Sequence, residues 1–436
     1  MSIGIKKITQ NIGWLMFDQF FILFLQFIVG VKVANYYGAE LYGKYSYAMS
    51  LVGFSGIFFE ILNSRVIKKY YTEENFDKIV YNITFFKNSI AILLFIVPIF
   101  FKVVLEIDNT LFYLLIFMCL DNILSTTTFG IENFFEYKLE SRRVVISNNI
   151  VKIISYSLQY ICMLLNMGII IIPIIRCVGS FIRVCLLKYQ YKKYYLISKK
   201  IKNKLNIKLL CKMIDEGKFL WITFVSFLIY TQLDKLMINY YLGEEDVGIY
   251  SIGVSLSGIF AILIGPVQNS IYPKMLELYK KDYQEYYNFF LSANTIITQV
   301  YLFLAFLSII VVKWLFKYVY EPEYNPAIMV YSILAFSIFI KANGSLQTSH
   351  MTIKGITQKS FYKTFLSLIL NVILNALLIP KYGINGAAIA TLVTQFMALF
   401  VIDFFIKEYK EQAFVQLKSL NIFSLIRIIK NKGKLI

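Results

Sequence analysis

Apolar stretches of about 20 residues recur from one end of this chain to the other, parted by short polar loops, and no other feature narrows the fold so far. A bilayer core offers the backbone no water. A chain that crosses it must close its own hydrogen bonds, and runs of this length do so as helices. About twelve spans are readable, at roughly 11–33, 44–64, 80–101, 110–131, 144–165, 169–188, 219–241, 247–268, 288–312, 327–348, 361–379 and 384–406. The composition, 58% hydrophobic with a mean hydropathy of +0.63, belongs to the same class. The tightest connection is at residues 166–168. As a turn it parts two spans; otherwise one long broken segment replaces them and the topology inverts beyond it. The first run follows Lys6 and Lys7, but it is too long for a cleaved leader, carries Asp18 and Gln19 and lacks a small-x-small site, so it is read as the first span.

The chain also repeats itself. NYYGAELYGKYSYAMSLVG, residues 35–53, returns as NYYLGEEDVGIYSIGVSLSG, residues 239–258. After one inserted residue, Leu242, the spacing is constant. Gly38, Glu40, Gly43, Tyr45, Ser46, Ser50, Leu51 and Gly53 map onto Gly243, Glu245, Gly248, Tyr250, Ser251, Ser255, Leu256 and Gly258. A repeat nearly half the chain long is no solenoid unit, which runs to about 20–50 residues. It is what a duplicated membrane bundle shows, and duplicated bundles are a common way to build a transporter. The expected architecture is an all-α polytopic membrane protein of two six-helix lobes, residues 1–187 and 219–406. A basic cytoplasmic linker, 188–218, joins them, and a basic cytoplasmic tail, 407–436, follows.

Lysine and arginine set the orientation. With the N-terminus inside, cytoplasmic segments hold about 31 of the 44 and outside loops about six, an asymmetry that puts both termini in the cytoplasm. The net charge of +18 follows from this topology and from attraction to anionic lipid at the inner surface. Nucleic-acid binding would need a soluble domain to carry the basic patch, and none is readable. The linker and the tail from Gln416 interleave basic with apolar residues, which suits helices lying on the inner membrane surface.

Enzyme signatures are missing. There is no GxxxxGK[ST] phosphate loop, no GxSxG and no HExxH. Glu321 and Glu323 share the longest outside loop, where solvated charge is the reading preferred over a catalytic pair. Cys119, Cys162, Cys177, Cys185 and Cys211 form no CxxC pair and suit apolar packing. His350, the single histidine, has no His or Cys nearby to make a metal site; it is structural or handles a proton. Pro98, Pro173 and Pro266 fall in or near spans and are candidate kinks.

What remains is charge inside the membrane, where an ionisable group must face the bundle interior, a wet cavity or a partner. Lys87, Lys152, Arg176, Lys235 and Lys341 lie deep, against Asp18, Asp121 and Asp234. Arg183, Glu60, Arg65 and Glu132 lie nearer the inner ends. Internal ion pairs are one reading, most of all for the adjacent Asp234 and Lys235. The surplus of base suggests an anionic cargo such as a diphosphate head group, with Arg176, Lys152, Lys87, Lys341 and Lys235 as contacts. Asp18, Asp121 and Asp234 are then candidates for coupling to H+ or Na+, or for holding those bases. Asn371 and Asn375 share a helix face, and Gln26, Gln232, Gln299, Gln347 and Gln395 also lie in spans, where interhelical hydrogen bonding accounts for them equally well.

Three segments carry a family resemblance. LDKLMINYYLGEEDVGIYSIGVSL, residues 233–256, resembles the seventh-to-eighth span region of Wzx-type polysaccharide repeat-unit flippases. These belong to the multidrug/oligosaccharidyl-lipid/polysaccharide exporter superfamily. Its copy near the N-terminus is similar to their first-to-second span region. LNVILNALLIPKYGINGAAIATLVTQ, residues 370–395, resembles their eleventh-to-twelfth span turn, with Asn371, Asn375, Pro380, Gly383, Gly386, Ala387, Ala388 and Thr391 in pattern. The resemblance implies two lobes around a cavity that opens alternately to each side. It implies a cargo of short oligosaccharide on undecaprenyl diphosphate, moved from the inner to the outer leaflet of the bacterial cytoplasmic membrane for O-antigen, capsule or another surface polysaccharide. A polysaccharide polymerase machinery would be its partner. The family's basic cavity residues vary, so none is transferred by position. A MATE-like extruder of drugs or metabolites shares the fold and is the closest rival. A glycan polymerase or acyltransferase would want a long outer loop or a His with a carboxylate. A lipid II flippase usually carries two further spans.

Overall fold

The computed structural model describes residues 2–72, 76–195, 205–262, 264–356 and 360–423. Helices dominate, and no strand occurs among the described residues. In chain order they are α1 (Ser2–Gly53), α2 (Gly56–Phe59), α3 (Ser64–Lys68), α4 (Phe76–Leu94), α5 (Val97–Val104), α6 (Asn109–Tyr137), α7 (Ser141–Leu164) and α8 (Ile171–Tyr195). There follow α9 (Ile207–Leu242), α10 (Glu244–Ala261), α11 (Ile264–Lys281), α12 (Tyr283–Tyr318), α13 (Ala327–Asn343), α14 (Gln347–Lys354), α15 (Ser360–Phe396), α16 (Ile402–Phe405) and α17 (Lys410–Ser419).

Glycines make three of the turns between spans. Gly38 breaks α1 at φ 75°, Gly243 parts α9 from α10 at φ 102°, and Gly383 breaks α15 at φ 58°, a region that side-chain-bearing residues avoid. At Gly383 the chain reverses. A Cβ on Gly386 would fall 2.2 Å from the Leu378 carbonyl oxygen, whereas those residues would lie about 12 Å apart along a straight helix. The connection at residues 166–168 is a turn too. α7 ends at Leu164, Asn166 takes φ 55°, and the hydroxyls of Tyr36 and Tyr37 donate to Asn166 Oδ1 (3.0 Å) and Met167 O (2.9 Å).

With α1 and α15 each supplying two arms, helices occupy all of the expected spans. Seven segments among the described residues are long and apolar enough to cross a membrane, and two of them, Phe20–Lys68 and Ser360–Phe405, contain the glycine breaks. α7, α8 and α9 fall outside that set; they carry Lys152, Arg176, Arg183, Asp234 and Lys235, and α7 also Asn148, Asn149 and Gln159. The proline effects are mild. Pro98 sits in the first turn of α5, where a missing amide breaks no hydrogen bond, and the helix restarts there.

The chain forms two compact units, residues 1–228 and 229–436, so the divide falls inside α9 and not in the basic segment 188–218. In the first unit, Leu210 and Met213 of α9 join a core with Leu62, Ile67, Ile83, Phe134 and Leu187. Trp221 Nε1 donates to Ile57 O at 2.6 Å. The described parts of 188–218 extend α8 and α9, with Leu210 and Met213 packed on protein and Leu205 and Ile207 exposed; residues 196–204 lie outside the described residues.

In the second unit, Met275, Tyr286, Phe290, Ile297, Ile338 and Leu346 form the main cluster, and Val415 of α17 belongs to it. Over its described part the tail packs one face on protein and leaves Leu417, Leu420, Ile422 and Phe423 exposed. Gln412, Ala413, Val415, Gln416 and Ser419 are buried. The physical reason is polar: the last carbonyls of a helix lack partners, and here other helices supply them. Gln299 Nε2 donates to Ser419 O (2.9 Å) and Leu420 O (3.1 Å), and Asn343 Nδ2 to Gln416 O (3.4 Å). Asn294 Nδ2 adds a bond to Ser419 Oγ at 3.0 Å.

Candidate functional site

In the first unit the charge gathers around Arg176 on α8. Its Nη2 donates to Asp121 Oδ2 of α6 at 3.2 Å, and its Nη1 to the Tyr45 hydroxyl at 3.4 Å. Ser180, one turn along α8, donates to the other Asp121 oxygen. The two ends of this pair differ: the Arg176 side chain is 40% exposed and Asp121 only 11%. The carboxylate is therefore the more enclosed end of the pair, and the Arg176 side chain stays partly exposed. Towards the inner end, Arg183 pairs with Glu132, which also accepts from Thr128 Oγ1 at 2.6 Å. Lys87 is buried with its ammonium 3.3 Å from the centre of the Phe129 ring, a cation–π contact in a dry setting. Lys152 is half-buried on α7. The Asp18 side chain lies outside the described residues.

In the second unit Asp234 is buried on α9 and accepts from three helical arms. Tyr250 OH of α10 reaches Oδ2 at 2.9 Å, Thr391 Oγ1 reaches the same oxygen at 2.6 Å, and Asn375 Nδ2 reaches Oδ1 at 2.7 Å. Asn375 Nδ2 also meets Asn371 Oδ1 at 3.1 Å, while Asn371 Nδ2 and Asn375 Oδ1 are buried without a partner. All three donor residues lie about two helical turns from Gly243 or Gly383, so these turns place them at one level. The partners of Asp234 are neutral. Lys235, next in sequence, leaves the helix about 100° away and is half-buried. Lys341 is exposed near the end of α13. One carboxylate among amide and hydroxyl oxygens is the kind of donor set a hard monovalent cation or a proton uses. No three His, Cys, Asp or Glu side chains converge as for a transition metal among the described residues.

A family model of polysaccharide biosynthesis proteins matches residues 8–279. The chain belongs to the polysaccharide biosynthesis protein family. Relatives of this family member include the uncharacterized membrane protein MJ1068 of Methanocaldococcus jannaschii, 27% identical over 236 residues that make up 51% of this chain and 45% of that one. Another is the probable low-salt glycan biosynthesis flippase Agl15 of Haloferax volcanii, 25% identical over 41% of this chain and 38% of its own length. The chain spans under half the length of these curated relatives. Among solved structures it is similar to the lipid II flippase MurJ in an inward closed conformation, with TM-score 0.65, 15% identity and coverage of 95% of this chain and 93% of that one. It is also similar to a mutant of the Vibrio cholerae MATE transporter VcmN, with TM-score 0.62, 13% identity and coverage of 95% and 96%. At these identities the likeness is one of fold alone.

This polysaccharide biosynthesis protein also holds charge that its sequence did not advertise. Lys363 in the first turn of α15 and Asp403 in α16 form a buried pair, 7% and 0% exposed. Gln347 Nε2 and Gln412 Nε2 donate to Asp403 Oδ2 at 2.6 and 2.8 Å. Next to it, Leu399 lies in a π-helical turn, residues 397–401, and its carbonyl accepts from both Gln347 and Gln416. His350 is buried, bonded through Nδ1 to Tyr286 OH at 2.6 Å and stacked on Phe290. Glu411 of α17 accepts from Lys354 and Tyr283. Burial works to raise the Glu411 carboxyl, but these hydrogen bonds and the Lys354 charge outweigh it and hold the group below its ordinary value.

Proposed function

We propose that this chain is a flippase for oligosaccharide repeat units linked to a polyprenyl diphosphate, undecaprenyl in a bacterial cytoplasmic membrane. It moves the polar head from the inner to the outer leaflet by alternating access, with both termini cytoplasmic, and supplies a polymerase machinery that builds surface polysaccharide such as O-antigen or capsule. The observation that carries this reading is Arg176, half-exposed at membrane depth and braced by Asp121 and Tyr45. A bidentate, permanently charged donor fits a diphosphate and repels a cationic drug. Family membership and a relative that bears the name of glycan flippase support it. Lys152, Lys235 and Lys341 add positive potential or contacts, and Lys87, buried against Phe129, adds potential alone. Asp234, with Asn371, Asn375 and Thr391, is the proposed coupling site for Na+ or H+, while Asp121 serves to hold Arg176.

The test is deletion and complementation in the source organism, scoring surface glycan together with the sidedness of its lipid-linked precursor. The expected result is loss of glycan with precursor held on the inner face, restored by the wild type and not by Arg176→Ala. Normal glycan with new sensitivity to cationic dyes would overturn the reading in favour of a MATE-like extruder.

A further inference from the structure

The repeat places one tyrosine at the same station in each half. Tyr45 and Tyr250 are repeat partners, each about two helical turns past the glycine that opens its arm. Their rings lie in different chemistry but do the same thing. Tyr45 accepts from Arg176 Nη1 at 3.4 Å, and Tyr250 donates to Asp234 Oδ2 at 2.9 Å. A phenol both donates and accepts, so a single residue type at a duplicated position can brace a cation in one half and an anion in the other. Neither hydroxyl needs to touch cargo to matter. Arg176 has long, flexible geometry and only one carboxylate anchor, so a second brace fixes the plane of its fork. Asp234 Oδ2 is shared by Tyr250 and Thr391, so losing Tyr250 leaves that oxygen to Thr391 alone and loosens the orientation of the carboxylate toward a cation.

We propose that Tyr45 and Tyr250 are repeat-related positioning residues, Tyr45 orienting Arg176 for an anionic head group and Tyr250 orienting Asp234 for the coupling ion. This rests on the flippase reading above. The experiment uses the purified full chain in detergent with two probes: farnesyl diphosphate as a soluble prenyl diphosphate, measured by calorimetry, and ion dependence of the melting temperature. The latter is read against sodium at fixed pH and against pH without sodium, each variant relative to its own ion-free baseline. Tyr45→Phe is expected to weaken farnesyl diphosphate binding about tenfold, leave the ion response unchanged and have no further effect in an Arg176→Gln background. Tyr250→Phe is expected to shift the ion midpoint about tenfold, leave farnesyl diphosphate binding unchanged and have no further effect on top of Asp234→Asn. Either variant moving both probes, moving neither, or adding fully to its partner's substitution would overturn the proposal. A wild type indifferent to farnesyl diphosphate would overturn the flippase reading itself, and the Tyr45 assignment with it.

Discussion

Lys363 and Asp403 show how an ionisable pair survives inside such a bundle: Gln347 and Gln412 donate to the second carboxylate oxygen, and Gln347 also accepts from the ammonium. Breaking one side leaves an uncompensated buried charge, at a cost of about 3–5 kcal/mol. Asp403→Asn should therefore lower the melting temperature in detergent by several degrees, and Lys363→Met combined with Asp403→Leu should recover much of the loss. Glu411 titrates in the opposite sense to a simply buried acid. Because its carboxyl is held below the ordinary value, its contribution to docking α17 is present at neutral pH and lost as pH falls through the depressed carboxylate range. Protease sensitivity beside α17 should rise on acidification in the wild type, and Glu411→Gln should show the raised level already at neutral pH. At this scale the sequence was partly legible. Depth alone singled out Arg176, Asp121 and Asp234, since a charge in a span needs a reason. Lys363 and Asp403 sit nearer the ends of their spans and far apart in sequence, and no local pattern joins them. The partners of Asp234 were half visible: Asn371 and Asn375 announce a shared helix face, but Tyr250 and Thr391 look like ordinary interface and helix residues until folded.

The α15 hairpin depends on Gly386 more than on the turn glycine beside it. Any side chain there meets the Leu378 carbonyl within 2.2 Å, and backbone cannot yield as a side-chain tip can. Gly386→Val should abolish accumulation of folded protein, measured as the monodisperse fraction in detergent, whereas a change at Gly30, where an added Cβ meets nothing within 4 Å, should be tolerated. The spans and their turns were readable because hydropathy and glycine act locally. Of the tail, the apolar stripe was readable, whereas the amide-to-carbonyl bonds that hold its other face were not. Asn343→Ala with Gln299→Ala should release α17, detected as new cleavage between residues 406 and 420.

Across the whole chain, duplication and divergence are both visible. The repeat set the architecture and the turn glycines, and the two units differ in what each does with the shared frame: an open arginine in one, a closed carboxylate in the other. Sequence counted a surplus of deep base; in the folded chain Asp121 braces Arg176 from that set, whereas Glu132 and Asp403 pair with Arg183 and Lys363, which lie outside it. The order of the helices has a consequence for biogenesis. α12 and α13 carry Gln299 and Asn343, whose amides meet carbonyls that lie beyond α16, and Asn294, whose amide meets the Ser419 hydroxyl. While the ribosome is still translating α14 to α16, that polar notch has no helix to fill it, so the second unit cannot reach its final packing during insertion. Its maturation is a post-insertion event, and a stalled chain ending before residue 410 should be recognised by membrane quality control as unfinished.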